Sequence, residues 1–148
     1  MTQTTGHITL RNMKVEVSTD NSTWTNISGE SNSIAISGGE IGSGEAYTAE
    51  GNLPLVGIGK VGLTEAKVKV IYVETSGSAW NTFFDAYVNG SDVYMRYSPK
   101  GGSTGNLMFT SGKGFVVSPV YPQGEVSDGN PTMCELTFKC PGFTKTTV

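Results

Sequence analysis

Three stretches of the chain alternate apolar and polar residues with a period of two, while a single stretch carries the period of a helix. That ratio confines the fold to a mainly β architecture with one helical element. The clearest alternation is residues 65–74, where Ala66, Val68, Val70 and Tyr72 share one face and Lys67 and Lys69 the other. Ile71 and Val73 make its end apolar on both sides, which predicts a mid-sheet strand covered on both faces near Tyr72. Residues 132–140 set Cys134, Leu136, Phe138 and Cys140 against Met133, Glu135, Thr137 and Lys139. Near the start, Met13, Val15 and Val17 alternate with Lys14, Glu16 and Ser18. Asp20, Asn21 and Ser22 then supply turn residues before 23–27, so the two runs read as a hairpin.

Weaker strand signals fall at 33–37, with Ile34 and Ile36 inward, at 92–97, with Val93, Met95 and Tyr97 inward, and at 106–110 and 113–120. Pro119 and Pro122 place the last of these at an edge or a bend, because proline cannot donate to a ladder. The helical stretch has Ser76 and Ser78 as N-cap oxygens, and Asn89-Gly90 as a stop. Between them Trp80, Phe83, Phe84, Tyr87 and Val88 recur at three- and four-residue spacing, which predicts a helix over 78–89. Trp80, Phe83, Phe84 and Tyr87 are its expected core-packing stripe.

The 148 residues suit one domain, 1–148, and a domain of that length buries roughly 70% of its unfolded surface, so it needs neither disulfide nor metal to fold. With only 36% hydrophobic and 16% charged residues, abundant Gly, Ser and Thr fit many short strands joined by turns. Cys134 and Cys140 lie in one expected strand, about 20 Å apart if extended, too far for a disulfide. They read as free thiols of a reducing compartment, and residues 1–10 show no secretory signal. No segment is apolar for long enough to span a bilayer as a helix.

Residues 38–62 break the pattern, with glycines at 38, 39, 42, 44, 51, 57, 59 and 62 and acids spaced among them. The stretch cannot build a core of its own and reads as a long loop or an extended hairpin. A flexible linker rarely carries an apolar patch such as Leu53-Pro54-Leu55-Val56, so docking on a neighbouring molecule is the better reading. Charge sharpens it: between Lys14 and Lys60 lie Glu16, Asp20, Glu30, Glu40, Glu45 and Glu50 and no base, whereas the rest of the chain holds ten bases against seven acids. An acidic part and a mildly basic part on one molecule suit head-to-tail contact between copies.

Enzyme chemistry finds no foothold. His7 is the only histidine, which removes hydrolase triads, histidine zinc sites and histidine bases. Gly101-Gly102-Ser103-Thr104-Gly105 lacks the lysine and following helix of a phosphate loop and reads as a hairpin turn. The acids are scattered, the bases dispersed, and no catalytic, cofactor or metal site is expected.

In this order of elements the chain resembles the tail tube (major tail) proteins of long, non-contractile-tailed bacteriophages. The resemblance rests on the hairpin Val-Glu-Val-Ser-Thr-Asp-Asn-Ser-Thr-Trp at 15–24, the Gly- and Glu-rich middle, the strand after it, the aromatic helix, and the closing strands that end at Phe138 to Phe143. It covers nearly the whole chain and is one of pattern, without a catalytic signature. It implies a β-sandwich or barrel flanked by the helix, and a ring of copies, usually hexameric, whose sheets join edge to edge around a channel. The rings stack into a hollow tube. Residues 38–62 would then be an inter-subunit loop, with Glu40, Glu45, Glu50, Leu53, Leu55 and Val56 as its contacts. The lumen would be negative, so that DNA slides through without specific binding, and Glu125 and Glu135 are candidates to line it. The implied partners are tape measure, initiator and terminator proteins, with no membrane. The location would be the virion tail, after assembly in the host cytoplasm. Rival readings are a β-sandwich adhesion or carbohydrate-binding module with a platform of Trp24, Trp80 and the tyrosines, although Trp80 is better placed in the core, or another tail component: a terminator, a connector, a contractile-tail tube or a secretion tube.

Overall fold

The computed structural model describes residues 3–119 and 121–148. Met1 and Thr2, at the start of the stretch 1–10 read for a secretory signal, and Val120, the last residue of the expected strand 113–120, lie outside the described residues. A short 3-10 turn at Leu10–Asn12 leads into β1 (Lys14–Ser18), β2 (Thr25–Asn26), β3 (Ser31–Gly38), β4 (Ile41–Ala46), β5 (Leu55–Val61) and β6 (Thr64–Ile71). Then come α1 (Ala79–Asn89), β7 (Tyr94–Ser98), β8 (Leu107–Ser111), β9 (Phe115–Ser118), β10 (Met133–Cys140) and β11 (Phe143–Thr147).

The strands form a sandwich with open edges, not a closed barrel. One sheet runs β11-β8-β7-β1-β2, the other β3-β6-β10-β9, and β4-β5 stand apart as a two-stranded ribbon. Alternation explains the layering, since inward residues of both sheets meet in one core: Val15, Val17 and Met95 from the first, and Val68, Leu136 and Phe138 from the second, all 0–1% exposed. The register Val70↔Cys134, Val68↔Leu136, Ala66↔Phe138 and Thr64↔Cys140 makes β6 and β10 the centre of the second sheet. Both thiols are free and buried on the apolar face, where desolvation pushes their pKa up and they act as small hydrophobes.

Helix α1 packs chiefly against β9 and less against β6, contributing Ala79, Phe83 and Ala86 to the core. Its N-terminus is tied down twice: Ser78 Oγ accepts from Asn81 N–H at 3.3 Å, and the Glu30 carboxylate accepts from Ala79 N–H at 2.8 Å. Gly90, at φ 63°, ends the helix in the left-handed conformation, with its N–H turned back to the carbonyls of Ala86 and Tyr87.

Four expectations need correcting. Tyr87 and Val88 are 44% and 63% exposed, so the buried stripe is narrower than the spacing suggests and runs through Ala79, Phe83 and Ala86. Trp80 is half-buried and packs against the core, whereas Phe84 lies on the helix flank in an aromatic stack from Tyr72 through Trp80 and Phe84 to Tyr121, with ring centroids 5.0, 4.8 and 5.7 Å apart. Ile36 does face the core side beside Ala66, but β3 is an edge strand and leaves it 38% exposed. Finally, β6 is not covered on both faces near Tyr72: its ladder ends at Ile71↔Met133, and Ile71, Tyr72 and Val73 are all half-buried where the chain departs towards α1.

Candidate functional site

Residues 38–62 form an extended hairpin rather than a loop. β4 and β5 pair antiparallel through Ser43↔Ile58, Gly44↔Gly57, Glu45↔Val56 and Ala46↔Leu55, with a bulge between Ile41 and Ser43. All thirteen residues of the two strands are exposed. Opposed residues share a face, so Ile41, Glu45, Val56 and Ile58 stand on one side while Gly44, Ala46, Leu55 and Gly57 occupy the other. One face of the ribbon thus carries Val56 and Ile58 with Ser43 and Glu45, and the other carries Leu55 as its large side chain beside Ala46 and glycines.

The root is held by backbone. Gly39 N–H donates to Leu63 O at 2.9 Å and Gly62 N–H to Glu40 O at 2.8 Å. Gly38 sits at φ 81°, and a Cβ there would collide with the carbonyl of Leu63, so the departure of the hairpin from the sheet requires glycine.

The structure brings five of the six sequence-derived hairpin residues onto the ribbon or its tip, with Leu53, Leu55 and Val56 at 82%, 64% and 73% exposure, Glu45 on β4 and Glu50 in the tip. Glu40 lies exposed at the root. Sequence reasoning missed Ile58, the most exposed of the group at 84%, along with Ile41, Tyr47 and Val61. The alternation Val56-Gly57-Ile58 was the available signal, masked by its glycines.

The two acids expected to line a channel are not neighbours in one sheet. Glu135 lies on the outer face of the β3-β6-β10-β9 sheet, opposite Lys69 and flanked on that face by Lys67 and Lys139. Glu125 is on no strand; it belongs to the connection between β9 and β10, where Pro119, Pro122 and Pro131 withhold ladder donors. That outer face carries Lys67, Lys69 and Lys139 against Glu65 and Glu135 and so is not acidic. Its edges, β3 and β9, have no partner strand on their far sides among the described residues.

On the outer face of the other sheet, Glu16 is buried between two cations, with Arg96 Nη2 2.9 Å from Oε2 and Lys14 Nζ 3.0 Å from Oε1. Burial raises the pKa of this carboxyl, but Arg96 and Lys14 outweigh it and hold Glu16 below its usual value. The Arg96 guanidinium lies over the Trp24 ring, 4.2 Å from its centroid. One face of Trp24 is therefore covered.

No family model and no curated protein matches the sequence. Solved structures do match. A chain of the SPP1 tail tube superposes with a TM-score of 0.69 at 16% identity, covering 96% of this chain and 80% of that one. The fold is that of a tail tube subunit. A chain from the PVC sheath–tube complex, an extracellular contractile injection system in its extended state, gives 0.68 at 13% identity, with 97% and 94% covered. A chain from the tail of an empty GTA particle, solved with C6 symmetry, gives 0.66 at 10% identity, with 99% of both chains covered. The tail tube fold thus spans nearly the whole chain, hairpin included, at identities where only the architecture is shared.

Proposed function

We propose that this chain is a structural virion protein that assembles with copies of itself into stacked rings, forming the hollow tail tube through which phage DNA passes at ejection. The observation that carries the reading is the β4–β5 hairpin: thirteen strand residues, none buried, projecting from an otherwise well-packed body of tail tube fold. Isolated two-stranded ribbons are marginal in water, so one bearing Val56 and Ile58 uncovered is suited to order fully against a neighbour. The free edges of β3 and β9 supply a second contact, since unpaired strand edges add strands from another copy and would close a sheet around a channel.

The ring is proposed as hexameric and the tail as non-contractile, with tape measure, initiator and terminator proteins as partners and the virion tail as the location. DNA would contact the lumen only in transit. Of the acids considered for the lumen, Glu135 is supported by its place on an open sheet face, although the three lysines around it argue for a mixed surface there.

Negative-stain electron microscopy of the purified chain tests the reading. Rings or hollow tubes are expected; a protein that stays monomeric at every concentration, with and without a tail initiator, sinks it. A sheath layer around tubes in native particles would move the assignment to a contractile tail.

A further inference from the structure

Beside the turn between β7 and β8 lies a depression of about 350 Å³ lined by Ile8, Pro99, Lys100, Leu107 and Phe109. Its floor is apolar, with Ile8 57% and Leu107 46% exposed. Its rim is cationic, because Lys100 lines it and exposed Lys145 stands opposite Phe109 in the β8–β11 ladder, on the same face. An apolar cavity of about 150 Å³ is enough for a benzene ring, so this one has room for two leucine-sized side chains.

The hairpin tip has the complementary chemistry. Tyr47, Leu53 and Leu55 are all more than 60% exposed, and Glu45 and Glu50 accompany them in a segment with no base between residues 15 and 59. Position separates the two surfaces as well. The hairpin root, at Gly38 and Thr64, adjoins Gly142, which receives the Gly112 N–H at the Ser111↔Phe143 end of the β8–β11 ladder. The depression lies at the other end, where Leu107 pairs with Thr147 and Gly105 N–H donates to Val148 O at 2.8 Å. Root and depression are thus about 14 Å apart along the ladder, one at each end. Leu53, 82% exposed, is not seated in its own chain's depression.

We propose that the hairpin tip of one copy seats Leu53 and Leu55 in the depression of a second copy, between Pro99 and Phe109, with Glu50 facing Lys100 and Lys145. This rests on the self-assembly reading and names the surface that receives the hairpin. A protrusion at one end and its receptor at the other make a heterologous contact, which repeats head to tail instead of closing as a two-fold dimer. The charges set direction and register, and the leucines supply the buried area.

Two singly substituted chains, Leu53→Cys and Leu107→Cys, test the contact. Both positions are exposed, so neither change disturbs the core, and the native Cys134 and Cys140 are buried. Mixed, allowed to assemble and mildly oxidised, they are expected to give a disulfide-linked dimer of one copy of each, absent from wild-type chain and from either variant alone. Tubes or rings without that mixed dimer overturn the docking proposal and leave the tube reading standing; wild-type chain that never assembles overturns both. In a second arm Lys100→Glu raises the concentration at which assembly begins by on the order of tenfold, and adding Glu50→Lys to the same chain restores it. Additive loss in the double variant overturns the pairing of those charges.

Discussion

The β4–β5 ribbon and the β6–β10 pair are both antiparallel ladders, and they have opposite relations to the rest of the molecule. In β6–β10 every second residue is buried, and seven inward side chains from Ala66 to Cys140 are 0–1% exposed. In β4–β5 none is buried, and Gly42, Gly44, Gly57 and Gly59 replace the side chains that would pack. The first ladder is held by the hydrophobic effect across the sandwich, the second by its own backbone bonds. A chain of this size can afford such a ribbon only because its core is complete without it.

This contrast can be broken or sharpened by substitution. The largest effect is expected in the core: Phe138→Ala should lower unfolding stability by about 3–5 kcal/mol in urea titrations, and a loss under 1 would mean that the sandwich is not the stabilising unit. Next comes the buried charge on the sheet's outer face, where Arg96→Ala leaves Glu16 with Lys14 alone and uncovers Trp24, costing about 1–3 kcal/mol. Ser78→Ala removes the cap of α1 and should cost about 1 kcal/mol, read as a lower thermal midpoint. In the ribbon, Val56→Ser with Ile58→Ser should change monomer stability by about 0.5 kcal/mol or less while abolishing tube formation in sedimentation assays. If the double change unfolds the monomer, the ribbon belongs to the core after all.

Acid should produce the mildest change. Asp20 accepts hydrogen bonds from the backbone N–H groups of Thr23 and Ser22 and from Ser18 Oγ, which hold its carboxyl far below the usual range. A depressed folded pKa means that its stabilisation is complete above the unfolded value of about 4 and fades as pH falls below it. Asp20→Asn should therefore lower stability at neutral pH and flatten its dependence on pH in that acid range, the two chains converging as pH falls; an unaltered acid slope in melts from pH 5 to pH 2 would assign that slope elsewhere.

What was legible in the sequence was whatever repeats locally. β1, β6 and β10 announce themselves by period-two alternation and α1 by its caps, because the face each element buries is written into consecutive residues. β11 gave no such signal: Phe143-Thr-Lys-Thr-Thr has one large apolar residue, and the strand is held at a sheet edge through its ladder with β8. β4 and β5 left loop and extended hairpin undecided because glycine disfavours strands, and only their mutual pairing, eleven residues apart at Glu45↔Val56, makes them strands. Glu16 sits in a polar position of its alternation yet is buried, since its partner Arg96 lies 80 residues on, and the Glu30 cap of α1 spans 49. The hairpin's acids and leucines were visible as an odd composition; the depression that suits them was not, because Ile8, Lys100 and Phe109 meet only through folding.

The two tryptophans stand in unlike settings, Trp80 stacked on Phe84 at the helix flank and Trp24 beneath the Arg96 guanidinium on the opposite sheet. They give the molecule two native fluorophores with separate duties. Emission from Trp80 reports whether α1 is seated on the sandwich, and emission from Trp24 reports the state of the outer sheet face. With one or the other replaced by phenylalanine, folding and assembly can be followed in the same cuvette without attaching a dye.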